Sequence, residues 1–451
     1  MNSDLSATAP HHAAAPATAA PLGAAQVRRA VLASVIGNGL EWFDFLIYGY
    51  FAKTIALVFF PLGNQVVSIA LTLATFAIGF VVRPLGGVLI GAYADRFGRS
   101  RTLSALIVLM AASTLLMGIT PGYATIGLAA PLLVLLARVL QGLSVGGEFA
   151  TAAAMLSEYA PRGKKMFYGS FQMTSQAFAL LLSAGCGYLL TTRLQPAELQ
   201  AWGWRIPFLL GALVGPIGFY IRHKVAESPE FIALRERMGH AARPSVGQFL
   251  RERGDAVLCA MGVIIVGAAT NYLWHSFLPL YVERQLHLPL KNALLGTAAS
   301  GLIGLVAYPL AGKLADRFGA YRVFFPVVIA WILIAYPLFA WVVAQPSPER
   351  LFAAQMVATV VLSLMSGPHP GMLTQLFPTA TRSTGVALSY NLAVTLFGGL
   401  APLTVSTLIT VTGSKLVPAY YLICAGVISL LLVGLSRAGR RLWRDPQAAP
   451  Q

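Results

Sequence analysis

A nearly end-to-end series of apolar runs, each set off by a short polar break, constrains this chain more than any other feature. The hydrocarbon core of a bilayer is about 30 Å thick, so a spanning helix needs about 20 largely apolar residues. Such runs lie near residues 30–60, 66–93, 103–120, 128–157, 166–190 and 203–221. After a polar stretch from about 222 to 255, six more lie near 256–281, 291–314, 323–345, 351–377, 384–411 and 417–436. Of the 451 residues 57% are hydrophobic and 11% charged, against roughly a quarter charged in a soluble domain. Lipid is therefore the expected solvent. The expected fold is an all-α membrane protein with twelve transmembrane helices in two pseudo-symmetric six-helix bundles.

The net charge of +16 does not mark a nucleic-acid partner, because the basic residues fall in the breaks between apolar runs and form no single soluble face. Alternate breaks hold Arg28 and Arg29; Arg96, Arg99 and Arg101; Arg162, Lys164 and Lys165; the 222–255 stretch; Arg317 and Arg322; Arg382; and Arg437, Arg440, Arg441 and Arg444. The other breaks carry only scattered charges such as Arg193, Lys291, Arg350 and Lys415. Positive residues are retained on the cytoplasmic side, so both termini and the central loop are expected there. The chain then divides into a disordered cytoplasmic tail (1–26), a first bundle (27–221), a cytoplasmic loop (222–255), a second bundle (256–436) and a cytoplasmic tail (437–451). The loop is mixed in sign and compatible with a helix between Pro229 and Pro244.

Metal and redox chemistry find little support. Cys186, Cys259 and Cys424 lie inside apolar runs without ligand spacing, and the adjacent His11 and His12 lack further ligands. The first 26 residues carry Asp4 where a secretory signal needs a basic start and an apolar core. The Gly-x-Ser-x-Gly spacing at Gly142-Leu143-Ser144-Val145-Gly146 falls inside an apolar run and not on the strand-to-helix turn that a nucleophile elbow needs. No enzyme, cofactor or metal is implied.

An internal repeat is visible. Gly91-Ala92-Tyr93-Ala94-Asp95-Arg96-Phe97-Gly98 recurs as Gly312-Lys313-Leu314-Ala315-Asp316-Arg317-Phe318-Gly319, each copy between the second and third run of its half. Duplicated halves suit a transporter that rocks one bundle against the other around a central site.

With these residues in view, the chain resembles the major facilitator superfamily. The two Asp-Arg-x-Gly copies look like its loop motif, and Arg138-Val139-Leu140-Gln141-Gly142 is similar to the fourth-helix motif of proton-coupled members. Within that superfamily it resembles the metabolite:proton symporter family. The likeness lies in Gly37-Asn38-Gly39-Leu40-Glu41-Trp42-Phe43-Asp44-Phe45, Gln141-Gly142-Leu143-Ser144-Val145-Gly146-Gly147-Glu148, Gly203-Trp204-Arg205-Ile206-Pro207-Phe208 and Glu227-Ser228-Pro229-Glu230-Phe231. Phe59-Phe60-Pro61 and Leu396-Phe397-Gly398-Gly399-Leu400-Ala401-Pro402 resemble its citrate and tricarballylate branch. Phe171 and Met173 depart from that branch, where citrate carriers tend to have Trp and a small residue. The resemblance implies proton-coupled import of a small organic anion, such as a di- or tricarboxylate, by a monomer in a bacterial cytoplasmic membrane. A zwitterionic osmolyte such as proline or betaine is the alternative, although such carriers typically append a C-terminal coiled coil and no heptads are present here. A non-transporting nutrient receptor is the reading from another class.

An ionisable side chain within the hydrocarbon is costly unless paired or hydrated, so each one is a functional candidate. Glu41 and Asp44, three residues apart, share a helix face, and two carboxylates that close in a buried site suit a proton carrier. Arg138 lies about 15 Å into the fourth run, a depth comparable to that of Glu41 in the first. The resemblance implies that Arg138 pairs with a carboxylate of the protein or of the substrate. Glu148, beyond Gly146 and Gly147, is a candidate proton exit or gate, or a salt-bridge partner of Arg83. Arg83, Asp95, Arg96, Asp316 and Arg317 are expected to gate by latching helices together. Candidate substrate contacts are Arg138, Tyr48, Gln141, Gln172, Ser175, Gln176, Asn271, His275, Tyr390 and Asn391. Buried amides such as Gln172 and Gln176 also glue helices together, and His369 sits in a Pro-His-Pro break expected to distort the tenth run.

Overall fold

The computed structural model describes residues 24–87, 89–90, 99–161, 163–223, 246–378 and 381–445. Asp95 and Arg96, and the loop between Pro229 and Pro244, lie outside the described residues. Among the described residues the chain is helical throughout. The helices are α1 (Ala24–Tyr50), α2 (Ala52–Phe59), α3 (Gln65–Val81), α4 (Arg99–Ile119), α5 (Ala129–Val145), α6 (Glu148–Tyr159), α7 (Lys165–Arg193) and α8 (Ile206–His223). They continue as α9 (Val246–Asn271), α10 (Leu278–Gln285), α11 (Leu290–Phe318), α12 (Ala320–Ala344), α13 (Pro348–Ser366), α14 (His369–Leu376), α15 (Arg382–Val394), α16 (Ala401–Thr412), α17 (Val417–Leu435) and α18 (Arg437–Arg444). Nine continuous spans among the described residues are long and apolar enough to cross a membrane, and α1 with α2 forms a tenth, bent by 70°. The shorter apolar stretch Ala105–Ile119 and helix α8 fill the remaining two apolar runs of the sequence.

Several spans are broken where the sequence gives a reason. The fourth span changes from α5 to α6 at Gly146 and Gly147, and the tenth from α13 to α14 at Gly367 and Pro368, where the proline removes a backbone donor. The seventh and eleventh spans each contain a π-helical turn, Tyr272–Phe277 and Thr395–Gly399. Such turns insert a residue and re-aim the side chains around them, and they recur at functional sites. The first run breaks at Phe51, which leaves helical geometry with φ −99° and ψ 18°.

Two of the expected boundaries need correction. Residues 246–255 are not loop: they form the opening turns of α9. Residues 437–444 are not a free tail. The Asp255 carboxylate accepts the backbone N–H groups of Arg437 and Ala438 at 2.9 and 2.8 Å, which caps α18 and docks it on α9.

Burial separates central helices from peripheral ones. In the most apolar 18-residue stretch of Gly247–Gln285 78% of the residues are buried and in that of Ala320–Ala344 only 28%, so α9 is central in the second bundle and α12 peripheral. The broadest seam between the bundles is α7 against α11. Gly312 makes it possible, since a Cβ there would lie 2.6 Å from the Met166 carbonyl oxygen and 2.9 Å from the Cα of Phe167. Small residues that let backbones touch are the main means of packing helices in lipid, where burial of apolar surface gives no drive. Gly312→Leu is therefore expected to cost about 1–3 kcal/mol of stability by overpacking this seam, measured by thermal unfolding of the purified protein in detergent.

Candidate functional site

The site starts from α1, which places Glu41, Asp44, Phe45 and Tyr48 at successive turns facing the interior of the first bundle. Two guanidinium groups meet it. Arg83, at the end of the second span, lies 3.3 Å from Glu41 Oε1, and Arg138 on α5 donates to Asp44 Oδ2 at 3.0 Å. Both arginines have no solvent exposure, and the carboxylates have 5% or less. The arginines are walled by rings. The Arg83 guanidinium lies 4.2 Å from the Phe80 ring centre and 4.6 Å from Phe45; that of Arg138 lies 4.0 Å from Tyr48 and 5.8 Å from Phe45. Cation–π contacts of this kind are worth about 2 kcal/mol or more when desolvated, so the rings help hold charges that lipid would reject.

The two acids of α1 thus do not share one partner. Each has its own arginine, and Arg83 lies against Glu41 where the sequence offered Glu148. Glu41, Asp44 and Glu148 nonetheless line one small cavity with Met110, Thr114, Val145 and Gly215. It has room for about one water. Gln141 donates to Thr114 Oγ1 at 3.3 Å, and both stand beside the Asp44 carboxylate. Gln141 therefore braces two residues that line the acid chamber. Tyr48 donates its hydroxyl to the Thr72 carbonyl at 3.0 Å and turns its ring to Arg138, so it supports the Arg138–Asp44 pair from a position lining a separate small cavity with Phe76 and Ser276.

A second cavity lies between the bundles. Its first-bundle wall holds Trp42, Phe149, Met173 and Gln176, and its second-bundle wall Asn271, Tyr272, Tyr308, Ser366, His369 and Tyr390. It leaves room for about two waters, so a solute-sized space is closed in this conformation. Five of these residues are aromatic, and none of the described residues lining it is Lys or Arg. Tyr390 stacks on Phe149 with centres 3.5 Å apart, and Tyr272 packs between Trp42 and Phe80 at 5.4 and 5.1 Å. Tyr272 also faces the Arg83 guanidinium, which joins the two cavities through one ring. Both π turns converge here. Tyr272 opens the first, and Gly399 of the second lies against the Phe80 ring so closely that a side chain would overlap it.

Other sequence candidates lie elsewhere. The Gln172 amide donates to the Phe149 carbonyl at 3.2 Å, and Asn38 of α1 donates to the Gln172 carbonyl at 3.0 Å and to Ser175 Oγ at 2.6 Å. Gln172 and Ser175 therefore hold α1, α6 and α7 together outside the inter-bundle cavity, whereas Gln176 reaches it. His275 shares a 2.7 Å hydrogen bond with Asn271, and of the two only Asn271 lines the cavity. Asn391 donates to the Gly146 carbonyl at 2.6 Å and so ties the second bundle to the break in the fourth span.

Contacts close the cavity at both ends. At the end that carries the basic loops, Asp316 accepts the N–H groups of Met166 and Phe167 at 3.0 and 2.9 Å, which caps α7 from the other bundle. Arg382 lies 3.6 Å from Glu158, and Thr374 donates to Ser157 at 3.1 Å. Arg317 is exposed and lies over Phe318, away from this latch. At the opposite end Lys53 meets Glu283 at 2.5 Å, with side chains 39% and 30% exposed. Sequence reasoning missed this pair, in which Lys53 lies inside the first run and Glu283 just beyond the end of the seventh. The aromatic lining had no distinguishing signal in the sequence. The Gly203-Trp204-Arg205 segment is structural: Arg205 donates to the Gly118 and Thr120 carbonyls at 2.9 and 2.6 Å and finishes α4.

The family model for sugar (and other) transporters matches residues 30–257. The chain belongs to that family, within the major facilitator superfamily. The citrate-proton symporter of Klebsiella pneumoniae is 35% identical to it over 426 residues, covering 94% of each chain. The proline/betaine transporter of Escherichia coli K12 is 33% identical over 414 residues, covering 90% of this chain and 82% of its own. The solved structure of the proton:xylose symporter XylE bound to 6-bromo-6-deoxy-D-glucose has the same fold, with a TM-score of 0.76 at 19% identity and 94% and 96% of the two chains covered. These relatives are transporters and not enzymes.

For this superfamily member the buried pairs carry a stability consequence. Removing one partner of a buried ion pair typically costs about 3–5 kcal/mol, whereas replacing both with neutral groups of similar volume is often neutral. Arg83→Met is expected to lose that much, and Glu41→Gln with Arg83→Met to recover most of it, as read by thermal unfolding of the purified protein.

Proposed function

We propose that this chain is a proton-coupled symporter that imports a small organic carboxylate by alternating access, as a monomer in a bacterial cytoplasmic membrane with both termini on the cytoplasmic side. The observation that carries the proposal is the set of three acids, Glu41, Asp44 and Glu148, on one water-sized chamber, with two of them clamped by fully buried arginines. A proton on Asp44 or Glu41 breaks the charge balance of its pair and releases a guanidinium. Arginine's planar fork then takes a substrate carboxylate by two parallel bonds. Of the two arginines, Arg83 is the one beside Tyr272 and hence beside the inter-bundle cavity; Arg138 sits deeper, behind Tyr48 and Phe45. On this reading Glu41 and Arg83 exchange proton for solute, Asp44 and Arg138 hold the second charge balance, and Glu148 passes protons to the chamber. The division 27–221 and 246–444 then supplies the two rocking bodies.

For the solute itself a di- or tricarboxylate such as citrate or tricarballylate is the first choice, in line with a citrate-proton symporter relative that matches over 94% of both chains. A zwitterion such as proline or betaine is the second reading, and one observation favours it. The cavity between the bundles has five aromatic walls and no described Lys or Arg, a lining that suits an ammonium face better than three negative charges.

Uptake into proteoliposomes with an imposed pH gradient tests both readings, with labelled citrate, tricarballylate, proline and betaine as solutes. Accumulation that a protonophore abolishes is expected for one solute group; equal uptake with and without the gradient would overturn symport. Arg83→Lys, which keeps charge but not the fork, is expected to lose accumulation by on the order of a hundredfold. Undiminished uphill uptake in that variant would overturn the coupling scheme.

A further inference from the structure

Helix α18 forms a ledge at the basic end of the second bundle. Its start is fixed by Asp255 and by Ser436, whose hydroxyl accepts the Gly439 N–H at 3.0 Å. Its far turn is fixed by packing: Leu442 is 1% exposed, and the Trp443 ring meets Phe325 of α12 edge-on at 5.2 Å. Between this ledge and the ends of α12 and α17 runs a groove of about 570 Å³, lined by Phe325, Ile329, Gly434, Arg440, Trp443 and Arg444. Arg440 and Arg444 are four residues apart, so they share a helix face, and both are exposed.

The groove continues onto a strongly apolar surface. Leu333 on α12 and Leu435 on α17 are each 70% exposed, and Ile329 is 47% exposed. In a chain of this family that surface meets acyl chains. The two arginines stand where the hydrocarbon ends, and tryptophan is the residue that favours this boundary. One molecule thus sees an apolar channel below, an aromatic edge at the interface and two guanidinium forks above.

We infer that this groove binds one anionic phospholipid, with acyl chains along Ile329 and Leu333 and the headgroup phosphate held by Arg440 and Arg444. The charge match selects the ligand: a phosphate monoanion without a compensating headgroup cation fits a site with two cations, and a zwitterionic lipid does not. Basic residues next to a membrane surface gain affinity for anionic lipid by several-fold each. The site lies on α12, α17 and α18, away from both the acid chamber and the inter-bundle cavity, so it stands or falls independently of the proposed transport activity.

Native mass spectrometry of the full-length, detergent-purified protein, titrated with phosphatidylglycerol or phosphatidylcholine, tests the inference. The wild-type protein is expected to keep one phosphatidylglycerol in preference to phosphatidylcholine. Arg440→Gln with Arg444→Gln is expected to weaken that adduct by on the order of tenfold, and Arg440→Lys with Arg444→Lys to restore part of it. A native-like charge-state distribution of the Gln pair in the same spectra shows that any loss is not a folding failure. Equal binding of the two lipids, unchanged binding in the Gln variant, or displacement of the lipid by millimolar inorganic phosphate would each overturn it.

Discussion

The organisation of this protein depends on keeping two arginines and their carboxylates inside an apolar bundle. Isolated charges there would cost several kcal/mol each, and the fold meets that cost with ion pairs at 3.3 and 3.0 Å and with rings on the open faces of the guanidinium groups. Much of the first bundle follows from that need. Tyr48 is anchored on Thr72 and stacked on Phe76 so that its face meets Arg138, and Phe45 stands between the two cations. Groups that are balanced only when each carboxylate is ionised are also groups whose balance a single proton upsets. The same arrangement that makes the bundle stable makes it responsive.

The two ends of the bundle interface are closed by contacts of different strength. Lys53 and Glu283 are more than a quarter exposed, and such a pair contributes about 0–1 kcal/mol. The basic end carries a helix cap across the bundles, an ion pair, a hydroxyl contact and the glycine-backed seam at Gly312. Rocking needs two arrangements of similar free energy, because a solute can shift the balance only by its differential affinity for them. A closed form with one easily broken end fits that requirement, since little has to be undone before the cavity meets solvent on that side.

The sequence was most informative where lipid makes charge rare. Glu41, Asp44 and Arg138 stood out because few ionisable residues lie inside the apolar runs, and their depth along each run follows from helix rise alone. Pairing was harder to read. The sequence offered Arg83 to Glu148, whereas it lies against Glu41, and the choice depends on how α1 and the fourth span are rotated, which no single run specifies. The same rotation turned Gln172 and Ser175 toward Asn38 and left only Gln176 facing the other bundle. The aromatic lining was illegible for a different reason. With 24 Phe, 16 Tyr and 7 Trp spread over the whole chain, nothing distinguishes Tyr272 or Tyr308 from a ring that merely packs or faces lipid. The π turn that re-aims Tyr272 has no sequence signature either.

A physical separation between the acid chamber and the inter-bundle cavity bears directly on coupling. If the same cavity held both protons and solute, a water file could let protons pass unaccompanied. Here Phe45, Phe80 and Tyr272 form a packed row of rings with neighbouring centres about 5 Å apart, from the Arg138 side to Tyr272 on the inter-bundle cavity. Arg83 is the group that joins this row to the acids, with Glu41 on one side and Tyr272 on the other. A change of protonation at Glu41 then reaches the solute space through the position of one guanidinium and one ring. Gly399 lies against Phe80 and Gly398 against Tyr272, so the second bundle reads the same row from its own side. Any movement of these rings is therefore also a movement of the bundle interface, which is the mechanical step that alternating access requires.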